Sequence, residues 1–322
     1  MNSATAVLEQ PPAEAATTRT ETVPPPRRPQ RRRNRRHNFT GYAFVLPALA
    51  ILVAFSVFPI LYSFVLSVFS WDMLTSGPRF VGLDNYSDLL TSGELYRSLS
   101  LTAVYTIITV GPSMALGLIF AVLLDQNINA ISVYRSFFFA PLMTSTVAIS
   151  VVWLWIYHPD YGLMNEALGF LGASPVKWLN DPNTALLALA IMSVWKNIGF
   201  CVVLYLAGLQ SIAPNVVEAA TMDGAGFWRV VRSIKVPLLG PTSFLLIILL
   251  TIDQFQTFAQ VDVMTQGGPA GATTLIVPLL WEHAFELFQM GYASAIAVVL
   301  FVIVMLLTLV QMFIVGRRVN YQ

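Results

Sequence analysis

Apolar residues in this chain run in long blocks instead of alternating with polar ones. The blocks cover about residues 41–70, 99–124, 135–157, 184–207, 238–258 and 292–315. A helix needs about 20 apolar residues to cross roughly 30 Å of hydrocarbon, and each block is that long. Lipid offers backbone amides no partners, so each block must be helical if it spans. The first block, "GYAFVLPALAILVAFSVFPILYSFVLSVFSW", exceeds the roughly 7–15 residues of a signal-peptide core. Tyr42 and Trp71 flank it, where amphipathic rings favour the interface. Pro112 and Pro141 lie inside two blocks and predict kinks, from packing or from a cavity wall. The expected fold class is all-α, a polytopic membrane protein of six transmembrane helices.

Residues 1–38 are different. They contain "PPPRRPQRRRNRR" and almost no large apolar side chains, so they cannot bury a core. We expect a disordered basic tail at 1–38 and a membrane domain over 39–322. The tail is either a solvated topology signal or a contact for anionic headgroups.

Composition strengthens this reading. Of 322 residues, 56% are hydrophobic and only 11% charged, against about 25% charged in soluble domains. A single cysteine, Cys201, excludes an internal disulfide and reads as a small buried hydrophobe. Placing the tail inside and alternating the spans puts fourteen of the 18 Lys and Arg on the cytoplasmic side. Only Arg79, Arg97 and Lys177 then lie outside, and Lys196 lies within a span. The positive-inside bias therefore predicts that both termini are cytoplasmic.

The loop at 208–237, between the fourth and fifth blocks, becomes cytoplasmic. Its sequence "EAATMDGAGFWRVVRSIKVPLLGP" joins good helix formers at Glu218, Ala219 and Ala220 to breakers at Gly224 and Gly226. A short helix, a turn and a second short helix follow. Phe227, Val230, Val231 and Ile234 recur at helical spacing, with Arg229, Arg232 and Lys235 off that stripe. Asp223 is placed to cap the second helix, and Pro237 ends it. A plain hairpin anchored by cations is one reading of this pattern.

The spacing supports another. Glu218-Ala219-Ala220, three residues, Gly224, nine residues, Ile234, one residue, then Val236-Pro237 resembles the signature loop of bacterial ABC importer permeases. Val236 in place of Leu is the one departure. "FVGLDNYSDLL", "WKNIGFCVVLYLAGLQSIAPNVVEAATMDGA" and "VDVMTQGGPAGATT" resemble the carbohydrate-uptake branch of that family. The closing "VQMFIVGRRVNYQ" resembles the A-type permeases of glycerol-3-phosphate uptake systems.

The resemblance implies a type I ABC importer permease fold and a bacterial inner-membrane location. It implies that Glu218, Ala219, Ala220, Asp223, Gly224, Ala225, Ile234 and Pro237 couple the chain to an ATPase. It further implies a second, related permease subunit, an ABC ATPase dimer that binds ATP and Mg, and an extracytoplasmic substrate-binding protein. No nucleic acid is expected as a partner. On this reading the chain is a transport subunit, not an enzyme.

The residues agree with that division of labour. No "GxxxxGK[ST]" phosphate loop is present. His37, His158 and His283 are scattered, in segments read as exposed, without metal-ligand spacing, so no metal is expected. Charges inside spans are costly and often functional. Lys196, flanked by Trp195 and Asn197, and Asp253 are the two clear cases. Asp253 and Gln256 are three apart and share a helix face, where they either line a pathway or glue helices together. Lys196 reads equally as a gating, structural or substrate-contacting residue. Asp125 ends its span within reach of headgroups.

The expected substrate is glycerol-3-phosphate or a glycerophosphodiester: a phosphate monoester wants several converging cations, which the partner permease would help supply, whereas a zwitterionic diester such as glycerophosphocholine suits one cation with aromatic faces nearby. A neutral sugar or oligosaccharide suits the Gln and Asp groups. Two rivals are an intramembrane enzyme and an ion-coupled carrier; the second usually shows internal repeats, and none is evident.

Overall fold

The computed structural model describes residues 35–73, 77–126 and 131–314, with side chains for 44–73, 77–126 and 133–313. The tail up to residue 34, together with Arg317 and Arg318, lies outside the described residues. The same is true of the His37 and Tyr42 side chains. Two units are distinguished, 1–53 and 54–322. In the first, α1 (Arg35–Leu52) begins inside the segment expected to be tail.

The elements of the second unit run α2 (Phe58–Leu66), a two-residue antiparallel pair β1 (Phe69–Ser70) and β2 (Arg79–Phe80), then α3 (Asp84–Thr91) and α4 (Glu94–Leu124). Next come α5 (Ile131–Met143), α6 (Thr146–Ile156), α7 (Leu163–Phe170) and α8 (Ala185–Gln210). The loop holds α9 (Pro214–Met222), α10 (Phe227–Val230), a π-helical turn (Val231–Lys235) and α11 (Val236–Leu238). The chain continues through α12 (Gly240–Phe255), α13 (Ala259–Met264), α14 (Ile276–Trp281), a second π-turn (Glu282–Glu286) and α15 (Met290–Ile314). The fold is helical, as expected, apart from the small hairpin.

Among the described residues, four helical stretches are long and apolar enough to cross a membrane: Phe44–Leu66, α4, α8 and α15. Two bent helix pairs bring the number to six if each counts as one span. Val133–Met143 and Thr146–Ile156 meet at 102°, and Phe227–Leu238 meets Gly240–Phe255 at 62°. The third block is therefore sharply bent, in line with the kink expected at Pro141. Pro141 sits two residues before its break, where its missing amide weakens the helix end. Pro112, by contrast, is absorbed inside the continuous α4.

Close contact between α4 and α8 forms the centre of the bundle. A Cβ on Gly117 would run into the Cβ of Cys201, so only glycine permits this approach. Cys201 is fully buried there. Likewise a Cβ on Gly199 would collide with the Phe138 carbonyl, which brings α5 against α8. One apolar cluster, containing Val122, Leu124, Val202, Val231 and Leu239, sits where the loop meets the bundle. A second, around Ile149, Trp153, Leu189 and Met192, sits beyond it.

Candidate substrate cavity and docking loop

The fifth span holds the first site. Helix α12 stops at Phe255, and α13 starts only at Ala259. Gln256 closes α12, its amide still donating to the Ile252 carbonyl at 3.2 Å, so the helix carries Asp253 and Gln256 together up to its end. The unwound segment beyond it opens a polar cavity of ≈ 300 Å³. Its wall includes Lys196, Asn197, Asp253 and Gln256, together with Thr146, Ser193, Gln254, Thr257 and Gln260. Transporters commonly build such sites where a spanning helix is interrupted.

Helical spacing explains the α8 contribution. Ser193, Lys196 and Asn197 are three and four apart and share a face. Trp195 falls between them and points elsewhere. It packs edge-on against Trp153 (centroids 5.7 Å apart) and lines an apolar crevice with Phe137, Pro141 and Ile149. Trp195, expected on the pathway, is thus not part of the polar cavity.

The cavity wall is pinned by buried hydrogen bonds. The Tyr105 hydroxyl and Ser193 Oγ are 2.5 Å apart, and Gln260 Nε2 donates to both oxygens, at 2.8 and 3.1 Å. These bonds join α4, α8 and α13. Lys196 donates to Thr146 Oγ1 across the α5–α6 break. Gln254 is only 2% exposed, and its Nε2 donates to Asp253 Oδ2 at 2.8 Å. That bond fixes the amide orientation, because a carboxylate only accepts. The opposite atom, Gln254 Oε1, is buried with no partner, and so is Asn197 Nδ2. A buried polar atom without a partner costs about 1–3 kcal/mol, so the wall carries one unmatched acceptor and one unmatched donor. Gln254 is hidden in the sequence because a continuous helix would turn it away from Gln256.

Beyond the shared residue Phe258 lies a second cleft of ≈ 490 Å³. Asp262, Glu282, Glu286 and Trp281 line it, with the turns of the Gly-rich 266–271 segment. Gln266, Gly267, Ala270 and Gly271 all have positive φ, as the turn-laden reading requires. Arg97 Nη2 donates to the Ala270 carbonyl at 2.6 Å and holds this loop.

The second site is the loop. Helix α9 carries Glu218, Ala219 and Ala220, and none of its residues is buried. Gly224 has φ +81° and ends the helix: its amide donates to the Thr221 carbonyl, and that of Ala225 to the Ala220 carbonyl, both at 3.0 Å. This is the αL closure that glycine favours. Asp223 closes α9 and caps nothing further; Gly226 precedes α10, without a side-chain cap. Val230 and Val231 are buried, while Phe227 and Trp228 stay exposed. Ile234 lies in the π-turn and Pro237 in α11, which returns the chain to the bundle. Lys235 and Asp125, expected to face solvent or headgroups, form an ion pair at 2.6 Å.

The two histidines with described side chains, His158 and His283, do not meet. His158 stacks on Tyr161, and His283 is buried, contrary to expectation, between Gln289 (2.9 Å) and Glu94 (3.3 Å). Among the described residues no cluster of three metal-ligating side chains occurs.

Residues 113–321 match the family model for the binding-protein-dependent transport system inner membrane component. The chain belongs to this family. It is 36% identical over 272 residues to the trehalose/maltose transport system permease protein MalF of Thermococcus litoralis, covering 84% of this chain and 92% of that relative. It is 32% identical to the sn-glycerol-3-phosphate transport system permease protein UgpA of Pectobacterium atrosepticum, covering 89% and 97%. A bacterial ABC transporter for import of alginate shares the fold, with a TM-score of 0.77 at 19% identity over 88% of this chain and 98% of that one. The permease is thus a multi-pass inner-membrane protein of the type I importer fold in the sugar-uptake branch. It is a transport subunit, not an enzyme.

Proposed function

We propose that this permease forms half of the pathway of an ATP-driven importer for an uncharged saccharide. The observation that carries the substrate class is the unpaired Oε1 of Gln254 beside the Asp253 carboxylate. Two adjacent acceptors call for hydroxyl donors. A sugar supplies these, whereas a fully ionised phosphate monoester supplies none at its phosphate. The three carboxylates of the adjoining cleft also oppose an anion. Lys196 favours a second reading: a glycerol phosphate or glycerophosphodiester such as glycerophosphocholine, held by that one cation.

In the mechanism we propose, both termini are cytoplasmic and α9 docks in a groove of a separate ABC ATPase dimer, which binds ATP and Mg. Glu218 and the small Ala219 and Ala220 permit close approach, and Gly224 lets the chain turn back. A second, related permease completes the pathway, and an extracytoplasmic binding protein delivers the substrate. ATP-driven closure moves α9, and the packed helices switch access as rigid bodies. Support comes from an α9 without a single buried residue, the family, and the cation distribution.

Co-expression with the companion permease, ATPase and binding protein, followed by vesicle reconstitution, tests both parts. Labelled neutral oligosaccharides should enter with ATP, and excess glycerol-3-phosphate should not compete. Competition by glycerol-3-phosphate would move the assignment to the second reading; uptake without ATP would end both.

A further inference from the structure

The loop is joined to the bundle by a partly buried ion pair. Lys235 Nζ lies 2.6 Å from Asp125 Oδ2, with side chains 16% and 18% exposed. Lys235 ends the π-turn that returns the loop to the bundle, and Asp125 closes α4, its amide donating to the Ala121 carbonyl at 2.9 Å. Val122, Leu124, Val231 and Leu239 form the apolar seam in the same region.

Such a pair is a weak way to gain stability, because desolvation offsets much of the attraction, and apolar replacement of both partners is often tolerated. What it does provide is direction: a short charge-assisted bond resists sliding of one element along another in a way that an apolar seam does not. Helix α9 has no fully buried residue. On the exit side, a displacement of α9 reaches the bundle through α10, the π-turn and α11, whose hold on α4 is the seam and this bond.

Helix α4 then runs unbroken to Tyr105, about 30 Å away at 1.5 Å per residue. Tyr105 is the residue that bonds Ser193 and Gln260 at the cavity wall. We propose that Asp125 and Lys235 are positioning residues for transport: their bond passes movement of the loop along α4 to the cavity. The proposal rests on the ATP-driven reading above.

The test uses the complete reconstituted complex and reads substrate uptake and ATP hydrolysis in the same vesicles. Asp125→Asn and Lys235→Gln should each retain hydrolysis while uptake per ATP falls about 5-fold or more. The exchanged pair, D125K with K235D, should recover at least half of the loss. The apolar double variant D125L with K235M should assemble and hydrolyse ATP yet stay uncoupled. Wild-type coupling in the single variants, or in the apolar double variant, overturns the proposal. So does a proportional loss of uptake and hydrolysis that the exchange leaves unrepaired. Failure of the wild-type complex to show ATP-dependent uptake would overturn the underlying reading instead, irrespective of the variants.

Discussion

At the scale of single residues, the cavity is decided by one amide. Gln254 gives its nitrogen to Asp253 and keeps a buried oxygen unpaired. Gln254→Met preserves length and removes both the acceptor and the donor to Asp253. A lost hydrogen bond to a buried group is worth about 1–3 kcal/mol, so KM for saccharide uptake should rise about tenfold. Membrane insertion and co-purification of partners should be unchanged, because the side chain contacts no partner in this scheme. An unaltered KM would remove Gln254 from the site.

The legibility of these residues in the sequence follows a physical line. Asp253 and Lys196 are visible because a charge in an apolar block stands out. Gly224 is visible because left-handed turns favour glycine, and its φ of +81° agrees. Gln254 is hidden because face arguments assume a continuous helix, and Asp223 reads wrongly as a cap because where α10 begins depends on Gly226. The pairing of Asp125 with Lys235 spans 110 positions, a distance no local pattern reports.

Among the elements, the packing of α4 on α8 depends on glycine at the crossing. Gly117→Val drives a branched side chain into Cys201, whose Cα would lie only 3.3 Å from the new Cβ. Backbone cannot yield as a flexible side chain can, and overpacking of this kind costs about 1–3 kcal/mol. Thermal unfolding of the detergent-purified complex should shift down by several degrees. Gly111, on the same helix, has open space where a Cβ would stand, with nothing within 4 Å. Gly111→Ala should therefore leave the melting profile almost unmoved. Equal shifts for both would mean that close approach is not what holds these helices. The apolar blocks are legible as helices because length and hydropathy alone set them. Pro141 marks a kink in the third block, but neither its 102° size nor the stop after Phe255 is legible. Hydropathy averages a window and does not register a backbone that turns within it. The short α3, α7, α13 and α14 also escape notice, since none is long enough to show a period.

For the whole molecule, sidedness is the property on which the mechanism turns, and the chain's own chemistry offers a way to read it. Its single cysteine, Cys201, is fully buried between α4 and α8. A membrane-impermeant thiol reagent should therefore leave the wild-type protein unlabelled from either side. Ala219→Cys places one thiol on α9, where no residue is buried. On the proposed orientation, that thiol should react in inside-out vesicles and not in sealed right-side-out ones. Adding the ATPase subunits should then protect it, because a helix seated in a groove loses its solvent access along the contacting face. Labelling from the outer side would invert the topology and separate the loop from any cytoplasmic motor. Reaction from the inner side with no protection by the ATPase would keep the topology and relocate the docking surface to another face of the loop, where Trp228 is 74% exposed.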